Sequence, residues 1–144
     1  FICRHNMKYW VGDEYLGFGP CAASDFAGRR FTIKADLEGY IKGVMGKGQI
    51  LSESELVPLR ERAGEYLMLR LRTVDGIEKG EYTRSFLLPF GPIEDILVRL
   101  QLQEYAAFTS GRWHLTPKGF MLSNTILVEL LEAQQKSRPL AQKR

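Results

Sequence analysis

The segment YAAFTSGRWHLTP, residues 105–117, predicts the fold of the second half of the chain. Two short runs rich in apolar and aromatic residues, 105–109 and 112–115, flank Ser110-Gly111, a pair typical of the tight turn of a β-hairpin. Thr116-Pro117 follows as a helix N-cap with a first-turn proline. The segment therefore predicts a hairpin that leads directly into a helix.

Helices are predicted on both sides of this hairpin. The helix opened by Pro117 is expected to run to about Gln135, because its apolar residues recur at helical spacing. Upstream, the apolar spacing predicts helices over residues 59–73, 80–86 and 92–103, the last of which opens with a proline. The order helix, helix, hairpin, helix is that of a winged-helix module, so the second half is expected to form one compact unit.

The first half of the chain predicts short strands, loops and one helix. Leu16–Ser24 is rich in small residues and is expected to form a strand edge and a loop, followed by a turn at Asp25–Gly28 and a strand at Arg29–Ile33. A helix is expected over Lys34–Val44, because its apolar residues recur at helical spacing. Ser52–Glu55 has the spacing of a capping box and is expected to open the helix that follows. The fold class predicted for the whole chain is therefore α+β.

The overall composition is that of a soluble globular protein. Hydrophobic residues make up 44% of the 144-residue chain and charged residues 26%, which excludes general disorder. No apolar run approaches the ~20 residues of a membrane span, and two cysteines are too few for a disulfide framework. We therefore expect a reducing, cytoplasmic location. Because the chain begins with Phe1 and shows no secretory signal, we expect it to be a fragment of a longer protein.

The charge distribution argues against a nucleic-acid partner. The formal net charge is +3, but four of the 20 basic residues lie in the tail after Glu132, so residues 1–135 carry 16 basic and 17 acidic residues. In the segment Pro92–Glu104, which would be the recognition helix of a winged-helix module, Arg99 is outnumbered by three acidic residues. Because phosphate contacts dominate DNA affinity, no DNA binding is expected.

The densest group of chemically active side chains lies in Cys3–Trp10. This segment combines a thiol, an imidazole, an amide and two large aromatic rings. An imidazole is a good ligand for zinc, copper, nickel or heme iron, and tyrosine and tryptophan faces can stack on a flat π-system. His5 is therefore either a metal ligand or a histidine hydrogen-bonded in a structured loop, and the residue types alone leave both open.

Structural zinc and nucleophilic catalysis have little support. The cysteines and histidines of the chain are Cys3, His5, Cys21 and His114. Of these, Cys3 and His5 are close in sequence, but one residue separates them instead of the two to four usual at structural zinc sites. The chain has no Gly-x-Ser-x-Gly elbow, and neither cysteine has an obvious base partner.

Several motifs together resemble one protein family. The segment His5-Asn6-x-x-Tyr9-Trp10, followed by Tyr15-Leu16-Gly17-x-Gly19 and Ala22-x-Ser24, resembles the end of the radical-SAM core in proteins similar to oxygen-independent coproporphyrinogen III oxidase. Within that group, the first motif is characteristic of the heme-chaperone branch, the HemW-like proteins. Three further segments resemble the C-terminal domain of the family: Glu65–Arg72, Leu115-Thr116-Pro117-x-Gly119 and Leu122-x-Asn124. The resemblance covers the chain up to about Glu132.

The resemblance implies how the α+β chain is organised. Residues 1–50 would supply the last strand or strands of a radical-SAM partial α/β barrel and a connecting helix. Residues 51–135 would form a mostly helical, HemN-type C-terminal domain with a winged-helix-like hairpin, and residues 136–144 a basic flexible tail. The full-length protein would hold S-adenosylmethionine and a [4Fe-4S] cluster on a Cys-x3-Cys-x2-Cys loop, which is absent from this sequence. The chain alone is therefore expected to be inactive, and whether the whole protein is an enzyme stays open.

The resemblance also implies a binding site. Heme would be bound by His5, Asn6, Tyr9 and Trp10, with His5 as the ligand of the heme iron. The cofactor and substrate pocket would be lined by Gly17, Phe18, Gly19, Ala22, Ala23 and Ser24. This sequence departs from the family at Cys21, where relatives usually have glycine, and at Ala23, where they often have histidine.

Three functions follow from these observations. The first is a heme-binding chaperone that delivers heme to acceptor proteins. The alternative is an oxygen-independent coproporphyrinogen III dehydrogenase, which forms protoporphyrinogen IX by oxidative decarboxylation in porphyrin biosynthesis. A weaker alternative is a winged-helix interaction module. The expected partners are heme or a porphyrin and a heme-acceptor protein, and peripheral membrane contact stays open.

Overall fold

The computed structural model describes residues 3–46 and 48–140, with no description of the Arg4 side chain. These residues form two compact units. The first contains the residues up to Tyr9 together with Asp13–Pro58, and the second contains Trp10–Gly12 and the residues from Leu59 onward. The division follows Pro58, eight residues later than the domain boundary predicted after residue 50.

The first unit is built around a three-stranded antiparallel sheet with strand order β1-β2-β3. The turn between β1 and β2 consists of Ala27 and Gly28, whose positive φ angles of 52° and 75° are typical of a type I′ turn. The Lys34 N–H donates to the Ile50 carbonyl oxygen at 2.9 Å, so chain pairing continues just beyond β2. The elements of the unit are α1 (Arg4–Val11, of which the residues up to Tyr9 belong here), β1 (Ala23–Phe26), β2 (Arg29–Ile33), α2 (Leu37–Val44) and β3 (Leu51–Leu56).

Strand β2 is confirmed at its predicted position, but the capping box predicted at Ser52–Glu55 is wrong, because these residues lie in strand β3. In a strand that alternates serine and glutamate, a glutamate follows a serine three residues later, which is also the spacing of a capping box. The partners on β2 decide the outcome: Arg30 lies opposite Glu55, and the Thr32 and Ser52 hydroxyls are hydrogen-bonded at 2.7 Å.

Both helices of the first unit differ from the expectation. Helix α2 begins at Leu37 instead of Lys34, because Lys34 still pairs with Ile50 and Asp36 adopts the extended conformation of an N-cap. Helix α1 forms over Arg4–Val11, where no helix was predicted. The backbone N–H of Met7 donates to the Cys3 carbonyl oxygen at 3.0 Å, which closes the first turn.

The second unit packs helices around a core of fully buried residues that includes Leu67, Leu97 and Leu130. The predicted helices over 59–73, 80–86 and 92–103 are confirmed with small shifts of their ends, and so is the hairpin, whose turn residues Ser110 and Gly111 have positive φ. The elements are α3 (Leu59–Arg70), α4 (Lys79–Phe86), α5 (Gly91–Leu102), β4 (Ala106–Thr109), β5 (Arg112–Leu115), α6 (Pro117–Phe120) and α7 (Ser123–Lys136).

The single helix predicted from Pro117 to Gln135 is divided into α6 and α7. As expected, the Thr116 side chain caps α6, accepting a hydrogen bond from the Gly119 N–H at 3.1 Å. Gly119 lies directly against the backbone of Tyr105, which presses the short helix onto the start of the hairpin. The chain must then change direction before α7 can pack along the core.

Hydrogen bonds join the end of α7 to the start of α3. The Arg60 guanidinium donates to the carbonyl oxygens of Gln134 (2.8 Å), Gln135 (3.0 Å) and Ser137 (2.8 Å). In return, the buried Gln134 side chain donates to the Arg60 carbonyl oxygen at 2.8 Å. Part of the predicted flexible tail is therefore fixed in place: Arg60 binds Ser137, and the Leu140 N–H donates to the Leu87 carbonyl oxygen at 2.9 Å. Residues 141–144 lie outside the described residues.

A charged triad joins α3, α4 and β5. Arg70 and Arg112 each donate to one oxygen of the Glu81 carboxylate, both at 3.1 Å. Partial burial tends to raise the pKa of Glu81, but the hydrogen bonds and charges of the two arginines outweigh it and hold that pKa below its usual value of 4.5. A carboxyl whose pKa falls on folding stabilises the folded state above its unfolded pKa, and this contribution is lost as pH falls through the lowered pKa.

We expect Glu81→Gln to lower the free energy of unfolding by about 2 kcal/mol at pH 7, because it leaves two partly buried guanidinium groups without their anion. The difference from the parent protein should shrink as pH falls from the usual value of 4.5 through the lowered pKa of Glu81, because the carboxylate of the parent protein then becomes protonated. Urea denaturation at pH 7 and at pH 3 measures both values. The control is Glu132→Gln, which breaks an exposed ion pair with Lys136 and should change stability by less than about 0.5 kcal/mol. Equal effects of the two variants at pH 7 would refute the role of the triad.

Candidate functional site

Helix α1 carries four residues of the first motif on one side. At about 100° per residue, His5, Tyr9, Asn6 and Trp10 fall within an arc of about 140° around the helix axis. All four side chains are exposed, Tyr9 by 43% and Trp10 by 39%. The helix therefore presents an imidazole, an amide and two aromatic rings over less than half of its circumference.

A chain of ring contacts connects this helix to the following loop. The Tyr9 ring meets the His5 ring edge to face at a centroid distance of 5.6 Å, and the Tyr15 ring in the same manner at 4.9 Å. Tyr15 is paired with Asp25, the N–H of each residue donating to the carbonyl oxygen of the other at 2.8 Å and 3.0 Å. Tyr15 was not predicted as a site residue, although it begins the second motif of the sequence.

The predicted pocket segment, Gly17–Ser24, folds back onto the start of β1. The Gly17 N–H donates to the Ser24 hydroxyl oxygen at 3.0 Å, and Ser24 is fully buried. A Cβ atom at position 17 would lie 2.4 Å from the Ala23 carbonyl oxygen, so only glycine fits there without a shift of the chain. The loop reverses direction at Gly19 and Cys21, which both have positive φ.

The side chains of this segment differ in what they can contact. Phe18 is 85% exposed and Ala23 is exposed, whereas Gly17, Gly19 and Ala22 are half-buried. The Ser24 hydroxyl, buried and bonded to Gly17, holds the loop and faces no open space. A groove of about 400 Å³ in the first unit lies on the sheet, lined by Arg30, Phe31, Thr32, Glu53, Ser54 and Glu55, none of which was predicted as a site residue.

The chain itself does not provide a site for an iron–sulfur cluster. Cys3 and Cys21 are exposed free thiols, and a cluster on a Cys-x3-Cys-x2-Cys loop needs three. Among residues 3–46 and 48–140, no group of three or more His, Cys, Asp or Glu side chains is placed to hold a metal ion. In the same part of the chain, no helix is long and apolar enough to cross a membrane.

The C-terminal motif segments hold the second unit together. The Arg72 guanidinium donates to the Asn124 side-chain oxygen at 2.8 Å, which joins the segment Glu65–Arg72 to Leu122-x-Asn124. Thr116 caps α6 and also donates to the Glu104 carbonyl oxygen at 2.7 Å. These motif residues have structural roles in the packing of the unit.

Comparisons with known proteins agree with these motifs. Residues 57–122 match the family model described as the HemN C-terminal domain. The chain is 26% identical to the heme chaperone HemW of Lactococcus lactis over 91% of its own length and 34% of the relative's. It is also 26% identical to the heme chaperone HemW of Haemophilus influenzae, over 88% of its own length and 33% of the relative's. The chain thus spans about a third of the length of the curated relatives that it matches.

A solved structure shares the fold. The coproporphyrinogen III oxidase HemN of Escherichia coli, described as a radical SAM enzyme, matches with a TM-score of 0.56 and 15% sequence identity. The match covers 86% of this chain and 29% of that protein. The fold is therefore the mixed helix and sheet of the corresponding part of HemN. Residues 57–122 thus carry a match to the HemN C-terminal domain, and the chain is similar to HemW heme chaperones and shares its fold with part of HemN.

Proposed function

We propose that this chain binds heme through His5 and is part of a cytoplasmic heme chaperone that passes heme to acceptor proteins. The observation that carries the proposal is the exposed side of α1, where His5, Asn6, Tyr9 and Trp10 lie together. A neutral imidazole is a common axial ligand of heme iron. Aromatic rings beside it can cover the apolar porphyrin, which is otherwise poorly soluble in water.

Within this chain, the α1 side chains stand on an open helix surface, and heme bound there would keep one face accessible to an acceptor. We further propose that the loop Gly17–Ser24 contributes one wall, since Phe18 is almost fully exposed there and can pack against the porphyrin edge.

The two alternatives are less well supported. The names of the curated relatives favour a heme chaperone over a coproporphyrinogen dehydrogenase, and the similarity to HemN at 15% identity concerns the fold. For a DNA-binding winged helix, α5 would be the recognition helix, yet its basic residue Arg99 is paired with Glu129 of α7. We also propose that, in the intact protein, S-adenosylmethionine and a [4Fe-4S] cluster would supply radical chemistry on residues outside this chain.

Titration of the intact protein with hemin tests the proposal. We expect His5→Ala to weaken hemin binding by about tenfold and to shift the Soret band, because the iron loses its axial ligand. His114→Ala is the matched control, since it removes the other histidine of the chain, and it should leave affinity and spectrum unchanged. Transfer of hemin to apomyoglobin measures delivery.

Two results would contradict this function. Identical hemin affinity and Soret spectra in His5→Ala and the parent protein would make His5 a structural residue. Turnover of coproporphyrinogen III by the intact protein under anaerobic, reducing conditions with S-adenosylmethionine would instead favour the dehydrogenase.

A further inference from the structure

We propose that Tyr15 is a positioning residue of this heme site: its ring, fixed by the sheet, supports Tyr9 and thereby orients the His5 imidazole. The inference rests on the proposed function, because an oriented His5 matters only if His5 holds a ligand. Tyr15 lies outside the motif of α1 and reaches His5 only through Tyr9.

The backbone of Tyr15 is fixed firmly. Its two hydrogen bonds with Asp25 attach it to β1, and Asp25 is itself buried and paired with Arg30 of β2 at 3.3 Å. Two residues later, the Gly17 N–H is bound by the buried Ser24 hydroxyl. Tyr15 is therefore attached to the sheet through its own backbone and again two residues later, and the residue is half-buried.

The ring contacts have the geometry that aromatic pairs prefer. Edge-to-face pairs are favoured at centroid distances of about 4.5–7 Å. Tyr15 and Tyr9 lie 4.9 Å apart with an interplanar angle of 71°, and Tyr9 and His5 lie 5.6 Å apart at 81°. Each ring thus limits the rotation of the next, and the constraint runs from the sheet to the imidazole.

His5 needs such support because of its place in the helix. It is the second residue of α1, in a turn where helix ends fray, and its side chain is exposed. A metal-ligating histidine is normally held in orientation by a neighbouring group, and loss of that group weakens binding without removing the ligand. Tyr9 and Tyr15 supply this orientation through ring packing.

The test uses hemin with the intact protein and three tyrosine variants. We expect Tyr15→Ala to weaken hemin binding by about threefold, as expected for one lost ring pair, and to broaden the EPR signal of the bound hemin as His5 samples several orientations. Tyr15→Phe should restore affinity and signal, because it keeps the ring. Tyr40→Ala, which removes a half-buried tyrosine from α2 of the same unit, should behave like the parent protein.

Combination with His5→Ala separates positioning from loss of folding. In the His5→Ala protein, Tyr15→Ala should have no further effect on the residual hemin affinity, whereas a variant that unfolds the unit would lower it in both backgrounds. A wild-type spectrum and affinity in Tyr15→Ala, or an equal loss in Tyr15→Phe, would overturn the inference. If His5→Ala itself has no effect, the proposed function fails. If His5→Ala weakens hemin binding but Tyr15→Ala does not, the proposed function stands and the positioning role of Tyr15 is refuted.

Discussion

Replacement of Gly119 by alanine is expected to lower the free energy of unfolding of the second unit by about 3 kcal/mol or more. A Cβ atom at this position would lie 1.8 Å from the Tyr105 carbonyl oxygen and 2.8 Å from its carbonyl carbon. Both are backbone atoms that are held by the Thr116 N–H, which donates to that same oxygen at 3.0 Å. The added methyl group therefore has to push α6 away from the hairpin, since no flexible side chain can yield.

Urea denaturation followed by tryptophan fluorescence measures this effect. In a Trp10→Phe background, the remaining tryptophan is Trp113, which is buried in the core of the second unit and reports its unfolding. Gly91→Ala is the matched control, because Gly91 has open space around it and lies at the start of α5. We expect it to change stability by less than about 0.5 kcal/mol. A similar stability of both variants would show that α6 is not packed as closely as described.

Arg60→Ala is expected to lower the free energy of unfolding of the second unit by about 2–3 kcal/mol. The side chain makes three charge-assisted hydrogen bonds to carbonyl groups at the end of α7, where the helix dipole also favours a positive charge. Without Arg60, the carbonyl groups of Gln134 and Ser137 lose these donors.

The same denaturation experiment distinguishes geometry from charge. Arg60→Lys should recover part of the loss, because an ammonium group keeps the charge but not the planar set of donors that reaches three oxygens. Arg84→Ala is the control: its ion pair with Glu78 is exposed and 3.7 Å long, and its loss should change stability by less than about 0.5 kcal/mol. If Arg60→Lys is as stable as the parent protein, the charge alone accounts for the effect.

The second unit could be predicted well because its signals are local. The turn pair Ser110-Gly111 and the cap Thr116-Pro117 act within a few residues and are found as expected. The break after α6 could not be predicted in this way. It depends on the contact of Gly119 with Tyr105, a packing contact that the helical pattern of the sequence does not contain.

The first unit shows the limits of local patterns more clearly. Ser52–Glu55 fits a capping box as well as a polar strand, and the strand partner Arg29–Ile33 decides between them. The spacing of His5, Asn6, Tyr9 and Trp10 already matches one side of a helix, so their arrangement was present in the sequence. The position of Tyr15 could not be predicted from the sequence, because it depends on pairing with Asp25 across the loop.

The hydrogen bonds between Arg60 and the end of α7 bear on whether this segment can be transferred between proteins. Arg60 stands at the start of α3 and binds the last turn of α7, so the first and last long helices of this segment meet at their ends. A folded unit whose ends lie close together can be inserted into a host protein, or removed from it, at one site without strain on either protein. The segment from α3 to α7 has this property, because its first and last helices meet at Arg60.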